Sequence, residues 1–418
     1  MEGSGLSTRG AANVSIIWPK IANAVAEREE KGRSKENTVI DLSTSENWLI
    51  RDELIEFYKT AIQSDLAARH FSYPDGFNGD QCLVNALAEF FNVYFKPHSP
   101  VLVDHISVAP GAASALDSLL YNICEAGDGL LVPAPFWNGF DWLLNVKAGV
   151  FPIAVSTETF DNALTMDLLP MMEEAFANSS RPIKGVLFTN PHNPFGRCYP
   201  SDVIVEVIKF CNKKNIHFIS DELYAVSRFE SPDVINPEPF VSALELDLVG
   251  AGCDPSRVHI IWSISKDLGS SGLRMGCCVT QNNRPLATGM SLTSSTQLSS
   301  LTAIAASALL TSPKLPQLIK LNSQRLSIAY SRLTSFLKEH NIEYIPATNG
   351  PFLFCKIVAD ARTWEDEAEF VSGCKKKGVS ISAGKSYHVN VKGWARINFA
   401  IMPEEMSDAL TRLSKVIS

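Results

Sequence analysis

A lysine preceded by two serines one residue apart, and followed at short range by an arginine set among glycines, has the makings of a site for a phosphorylated aldehyde. The run Trp262-Ser263-Ile264-Ser265-Lys266-Asp267-Leu268-Gly269-Ser270-Ser271-Gly272-Leu273-Arg274-Met275-Gly276 has this order, and it continues the strand-like His259-Ile260-Ile261-Trp262. A lysine that forms a Schiff base must reach a carbonyl while the phosphate dianion is held several ångströms away by hydroxyl donors and a fixed positive charge. Lys266 suits the covalent bond, and Ser263, Ser265 and Arg274 suit the holding. Arginine fits a phosphate because its planar fork donates two hydrogen bonds at once. Gly269, Gly272 and Gly276 would let the backbone fold back so that Arg274 returns to the same pocket. A surface loop can carry the same short pattern, so the weight rests on the segments around it.

Those segments alternate between apolar runs and helical periodicity from about residue 105 to 280, which predicts a mostly parallel sheet with helices on both faces. After Ile106-Ser107-Val108-Ala109 the chain breaks at Pro110-Gly111. A helix then carries Leu116, Leu119, Leu120 and Ile123 on one face. The amides of Ala112 and Ala113 therefore lie at a helix N-terminus, where anions bind. Leu130-Leu131-Val132-Pro133 leads to Ala134-Pro135-Phe136-Trp137, placing an aromatic ring just past a strand end, where it can stack on a planar ring or simply join the core. Gly185 to Thr189 closes in Asn190-Pro191-His192-Asn193-Pro194-Phe195-Gly196, whose prolines fix the turn and leave Asn193 free to donate to an oxygen. Ile216 to Ser220 ends in Asp221, with Tyr224 three residues on. An aspartate at a strand end in an open α/β sheet sits where such sheets bind ligands, and burial there demands a positive partner. Further on, Gly393-Trp394-Ala395-Arg396-Ile397-Asn398-Phe399 reads as a strand with Arg396 and Asn398 on one face.

Taken in order from about residue 40 to the C-terminus, these motifs resemble the pyridoxal phosphate enzymes of the class I and II aminotransferase family. The run Ser263 to Gly276 is most similar to the 1-aminocyclopropane-1-carboxylate synthase-like branch. The resemblance implies an α/β fold of the fold-type-I transferase kind, with a large domain built on a seven-stranded-type sheet and a smaller C-terminal domain. It implies that Asp221 faces the cofactor's ring nitrogen, that Asn193 and Tyr224 share its phenolate oxygen, and that Trp137 stacks on its ring. Lys266 would carry it, and Ser263, Ser265, Arg274, Ala112 and Ala113 would hold its phosphate. Arg396 would bind the substrate's α-carboxylate, and Glu46, in Ser45-Glu46-Asn47, would face the substrate; on the residues alone, Glu46 is also a plausible turn residue before a helix. In Phe71 to Gly79 the family places a tyrosine that crosses to the neighbouring subunit's phosphate, which implies a homodimer with shared sites. Tyr73 fits one version of that motif, and counting back from Gly79 lands instead on Phe77, which has no hydroxyl.

The composition bounds the rest. A chain of 418 residues with 45% hydrophobic content is long enough for two domains, and a net charge of −8 argues against a nucleic-acid surface. The expected organisation is an N-terminal arm and small-domain segment over 1–49, a large cofactor domain over 50–295, and a small domain over 296–418. Residues 1–18 read as a flexible arm, and a helix is expected from Pro19 to Gly32. No apolar run reaches the length of a membrane helix, the start lacks a signal-peptide core, and nine scattered cysteines suggest reduced thiols, so the expected location is cytoplasmic. The histidines do not gather at metal-ligand spacing, so no metal is expected.

Of three functional readings the first is the one expected, favoured by Glu46 and the run Ser265 to Arg274, with the second as its alternative. The first is Cα deprotonation followed by Cγ elimination, cyclisation or replacement on S-adenosylmethionine or a related amino acid. The second is transamination of an amino acid to a keto acid, and the third is a cofactor-binding protein without turnover.

Overall fold

The structure, a computed structural model, describes residues 5–19, 22 and 39–417. The helix expected from Pro19 to Gly32 lies almost entirely outside them. Within the arm expected to be flexible, Thr8–Ala12 is helical, and Asn13–Ile17 continues as a π turn. Ser7 starts this segment by accepting the Gly10 amide on its hydroxyl, as N-cap serines do. Asn13 Nδ2 donates to the Val146 carbonyl at 2.9 Å, and Ile17 is buried, so tertiary contact fixes what looked like a free end.

After the short strand β1 (Ile40–Asp41) the chain builds β2 (Ile106–Ala109), β3 (Gly129–Pro133), β4 (Phe151–Val155), β5 (Ile183–Thr189), β6 (His217–Asp221), β7 (Val258–Ser263) and β8 (Gly276–Thr280). The last seven form one sheet in the order β2-β8-β7-β6-β5-β3-β4. β4, β3, β5, β6 and β7 run parallel to one another, and β8 is antiparallel to both of its neighbours. Helices on both faces leave no wet side, which is why β3 and β7 read as near-continuous apolar runs and are buried at every position. His259, the polar exception inside β7, is satisfied by Thr280 Oγ1 at 2.8 Å and by His217 at 2.9 Å.

The largest core packs Phe90, Phe91 and Phe95 of the Gln81–Tyr94 helix and its end against Trp262, with Phe90 and Trp262 ring centroids 4.5 Å apart. The Ser300–Leu310 helix adds Ala303, Ala306, Leu309 and Leu310 to this core. The 25-residue helix Leu315–Glu339 then crosses between cores. Its Leu315, Leu318 and Ile319 pack in the first core, and its Leu326, Leu333 and Leu337 pack in the second. That second core covers a four-stranded sheet of β9 (Tyr344–Ile345), β10 (Phe352–Lys356), β12 (Ser382–Ala383) and β13 (Trp394–Asn398), in the order β12-β13-β10-β9. β11 (Val379–Ser380) pairs in parallel with β1, so the N-terminal segment is stitched to the C-terminal unit.

Candidate active site

The parallel strands β5, β6 and β7 end side by side, and their last residues are Thr189, Asp221 and Ser263. In an open α/β sheet the crevice outside these carboxyl ends is where ligands bind. Just past Ser263 the chain makes one helical turn, Ile264–Asp267, capped by the Ser263 hydroxyl on the Ser265 amide. That turn presents Lys266, whose Nζ donates to the Ser45 carbonyl.

Burial away from water, followed by the Arg396 charge, lowers the Lys266 amine to about 8; the nearby Glu46 and Asp221 charges work the other way. Only the neutral amine is a nucleophile. The rate at which the cofactor-free protein adds an aldehyde is therefore expected to rise with pH about a midpoint near 8. A midpoint near the ordinary 10.5 in stopped-flow absorbance would contradict this.

Asp221 lies on the neighbouring strand, fully enclosed. Desolvation pushes its carboxyl up to about 7, against the opposing effects of the Leu223 amide, the Thr189 hydroxyl and Lys266. Thr189 Oγ1 donates to Oδ2 at 3.3 Å, and Oδ1 has no hydrogen-bond partner among the described residues. A buried carboxylate oxygen left unpaired is costly, and a cation seated against it removes the cost. Tyr224 OH lies 3.1 Å from Ser45 Oγ.

Gly111, at φ 88°, starts the Ala112–Ile123 helix, whose first amides, those of Ala112 and Ala113, have no intrahelical acceptor. The Arg274 guanidinium lies against Gly111 so closely that a Cβ there would overlap it, and a Cβ on Gly276 would overlap the backbone of Gly111 and Ala112. Arg274 itself is left-handed, at φ 55°, and donates to the Ser271 and Pro110 carbonyls at 2.8 and 3.3 Å. Ser263 Oγ and Ser265 Oγ are 2.7 Å apart on the same side. Ser263 Oγ donates to the Met275 carbonyl at 2.7 Å and so supports the Ser265 hydroxyl beside it; helix start, guanidinium and the Ser265 hydroxyl form a cradle of donors, shaped for a phosphate. Gly272, unlike Gly276, has open space around it and is not needed for the return of Arg274. Gly111→Ala is expected to weaken phosphate-cofactor binding about tenfold or more, because it displaces a charge-assisted donor and strains the backbone. Titration of the cofactor-free variant by fluorescence checks this, and an unchanged affinity would contradict it.

Arg396, expected to share a face of β13 with Asn398, is 3% exposed. It donates from Nη1 to Asn193 Oδ1 at 3.0 Å and from Nη2 to the Ser43 carbonyl at 2.8 Å, while Nε has no hydrogen-bond partner among the described residues. Phe352 and Tyr387 lie 4.9 and 5.2 Å from the guanidinium carbon and fix its plane. Glu46 accepts Ser271 Oγ at 2.6 Å and Arg51 Nη2 at 2.9 Å. Burial works to raise its carboxyl, but these bonds and the charges of Arg51 and Lys266 outweigh it and hold the group below its ordinary value. Trp137 spreads its indole over Gly139 at the end of β3, edge-on to Phe140.

The chain thus brings Lys266, Asp221, Tyr224, Asn193, Arg396 and Glu46 into one cluster, with Ser263, Ser265, Arg274, Ala112 and Ala113 forming the cradle beside Lys266. Tyr73 is not gathered into it; that side chain is 84% exposed, and Phe77 is 53% exposed.

Three residues of the cluster carried no signal in the sequence. Ser45 touches both Lys266 and Tyr224. Tyr387 flanks Arg396. Asp267 accepts Ser227 Oγ, Trp262 Nε1 and the Val226 amide at 2.5, 3.0 and 3.2 Å, tying the Lys266 turn to the turn that carries Tyr224.

The unpaired Asp221 oxygen and the glycine-floored donor cradle fit pyridoxal phosphate: one takes its protonated ring nitrogen, the other its phosphate. Among the described residues no group of His, Cys, Asp and Glu could hold a metal ion, and no helix is long and apolar enough to cross a membrane.

A family model described as aminotransferase class I and II matches residues 37–413. The chain is 52% identical to a probable aminotransferase, aclI, of Aspergillus oryzae, over 99% of this chain and 98% of that protein. Similarity to 1-aminocyclopropane-1-carboxylate synthase 1 of Oryza sativa subsp. indica is lower, 31% identity over 82% of this chain and 71% of that one. Among solved structures, a mutant of Thermus thermophilus aspartate aminotransferase superposes with a TM-score of 0.80 at 20% identity, covering 99% of both chains.

Proposed function

The chain belongs to the class I and II aminotransferase family, a pyridoxal phosphate-dependent family, and on that premise we propose that it breaks the Cα–H bond of an α-amino acid and transfers the amino group. The observation that carries this reading is a partly neutral Lys266 amine set between an unpaired buried carboxylate oxygen at Asp221 and an unfilled arginine donor at Arg396. When bound, pyridoxal phosphate supplies an aldehyde for the amino group and a protonated ring that withdraws electrons from Cα.

The chain's residues do the rest. Asp221 Oδ1 would hold the ring nitrogen, and Asn193 and Tyr224 would donate to the phenolate oxygen. Arg274, Ser263, Ser265 and the Ala112 and Ala113 amides would hold the phosphate, and Trp137 would supply the stacking face for the ring. Arg396 takes the substrate's α-carboxylate with its free Nε and a nitrogen released from Ser43. Lys266 Nζ would take the proton from Cα and give it up at the cofactor's aldehyde carbon, the shift that leaves a keto acid, and the second half of the exchange would run the same transfer in reverse.

Departure of a leaving group from the substrate's Cγ, as with S-adenosylmethionine, is the second reading. It is favoured by Glu46, a charged carboxylate within electrostatic reach of Lys266 that simple transamination does not require. Incubation of the loaded protein with a panel of amino acids separates the two. Keto acid with conversion of the cofactor to its amine form is the expected result. Methylthioadenosine from S-adenosylmethionine, with the cofactor unchanged, would replace it by the second, and no spectral response to any amino acid would leave only the silent-protein reading.

The exposed aromatic segment of Phe71, Tyr73 and Phe77 supports a homodimer in which a partner covers it and Tyr73 reaches the neighbouring phosphate. All nine cysteines are free, which supports a cytoplasmic location.

A further inference from the structure

The segment from Asp41 to Asn47 is pinned across the site. Asp41 Oδ1 and Oδ2 accept the amides and hydroxyls of Ser43 and Thr44 at 2.6 to 3.2 Å, making a stiff turn. Arg396 holds the Ser43 carbonyl, and Asn398 Nδ2 holds the Glu46 carbonyl at 3.0 Å. Between these anchors sits Ser45, 6% exposed, with its carbonyl on the Lys266 amine and its hydroxyl 3.1 Å from Tyr224 OH.

We propose that Ser45 is a positioning residue of this site, whose hydroxyl donates to Tyr224 and so aims the tyrosine's single proton at the cofactor's phenolate oxygen. The inference rests on the functional reading above. A phenol has one proton. If Tyr224 gives it to the cofactor, the bond to Ser45 must run from the serine. Donation into the phenol oxygen polarises the tyrosine and strengthens its own donation, as hydrogen bonds in a chain do. A stronger donor at the phenolate oxygen favours the deprotonated cofactor and lowers the pH midpoint of its visible absorbance.

The charged and titratable groups that face Tyr224 are Arg396, Asp221 and Tyr387, and those that face Lys266 are Arg396, Glu46, Arg274 and Asp221. Ser45→Ala leaves all of them, and the backbone carbonyl, in place.

The test is a pH titration of the cofactor's visible band in the loaded wild type, Ser45→Ala and Ser45→Thr. Loss of one hydrogen bond is expected to raise the midpoint in Ser45→Ala by roughly half a unit, a threefold change in the proton equilibrium. Ser45→Thr, which keeps the hydroxyl, is expected to stay with the wild type. An unmoved midpoint in Ser45→Ala, or an equal shift in Ser45→Thr, would overturn the assignment, since the residue would then act by packing alone. A wild type with no cofactor band would overturn the functional reading itself, and this inference with it.

Discussion

Replacing Lys266 with alanine is expected to lower turnover by roughly a thousandfold or more, because one side chain supplies both the covalent attachment and the proton transfer at Cα. The expected effect on stability has the opposite sense. Among the described residues Nζ donates to the Ser45 carbonyl alone, and burial already disfavours its charge enough to bring it down to about 8. Removing an ammonium that the fold holds at a cost should therefore leave the melting temperature of the cofactor-free protein unchanged or higher. Single-turnover kinetics and thermal unfolding check the two halves separately. A variant that keeps more than a tenth of the activity would remove Lys266 from the chemistry, and one that melts well below the wild type would mean that the lost activity reports misfolding.

Asp221→Asn is expected to reduce kcat by roughly a hundred- to a thousandfold. The fold encloses this carboxylate with the Lys266 charge acting on it, and among the described residues its Oδ1 has no hydrogen-bond partner. Its ionised form becomes useful only when a positive ring nitrogen is seated against it. Asparagine has nearly the same shape and can still accept from Thr189, but it cannot keep that nitrogen protonated. Deleting one partner of a buried ion pair costs about 3–5 kcal/mol, which sets the size of the effect. In the cofactor-free state the sign again reverses, since a carboxyl pushed up to about 7 by desolvation gains nothing from its charge. Cofactor affinity by fluorescence, kcat, and the melting temperature with and without cofactor should separate these. Equal kcat in the variant and the wild type would sink the role given to Asp221.

Much of this site was legible in the sequence because its strongest signals are local. Ser263, Ser265 and Lys266 lie within four positions, where a strand end and one helical turn fix them with little freedom. Asp221 and Tyr224 are read the same way from the end of β6. Arg396 and Asn398 follow from the alternation along β13, although nothing in that strand says that the Arg396 guanidinium would rest between Phe352 and Tyr387.

What could not be read are the contacts made across long stretches of chain. Ser45 meets Tyr224 at a separation of 179 residues and Lys266 at 221, and a serine in a polar turn has no feature that announces either. The N-terminal arm looked free because its ordering comes from a single capped turn and from docking onto Val146, not from propensity. Asp267 carried no signal because two of its three donors, the Val226 amide and Ser227 Oγ, lie 41 and 40 residues away along the chain.

The most direct test of the account is to load the protein with pyridoxal phosphate, reduce it with borohydride and map the modified peptide by mass spectrometry. The account predicts one reduced cofactor per chain, attached to the side chain of Lys266. Attachment to another lysine, or none, would contradict it.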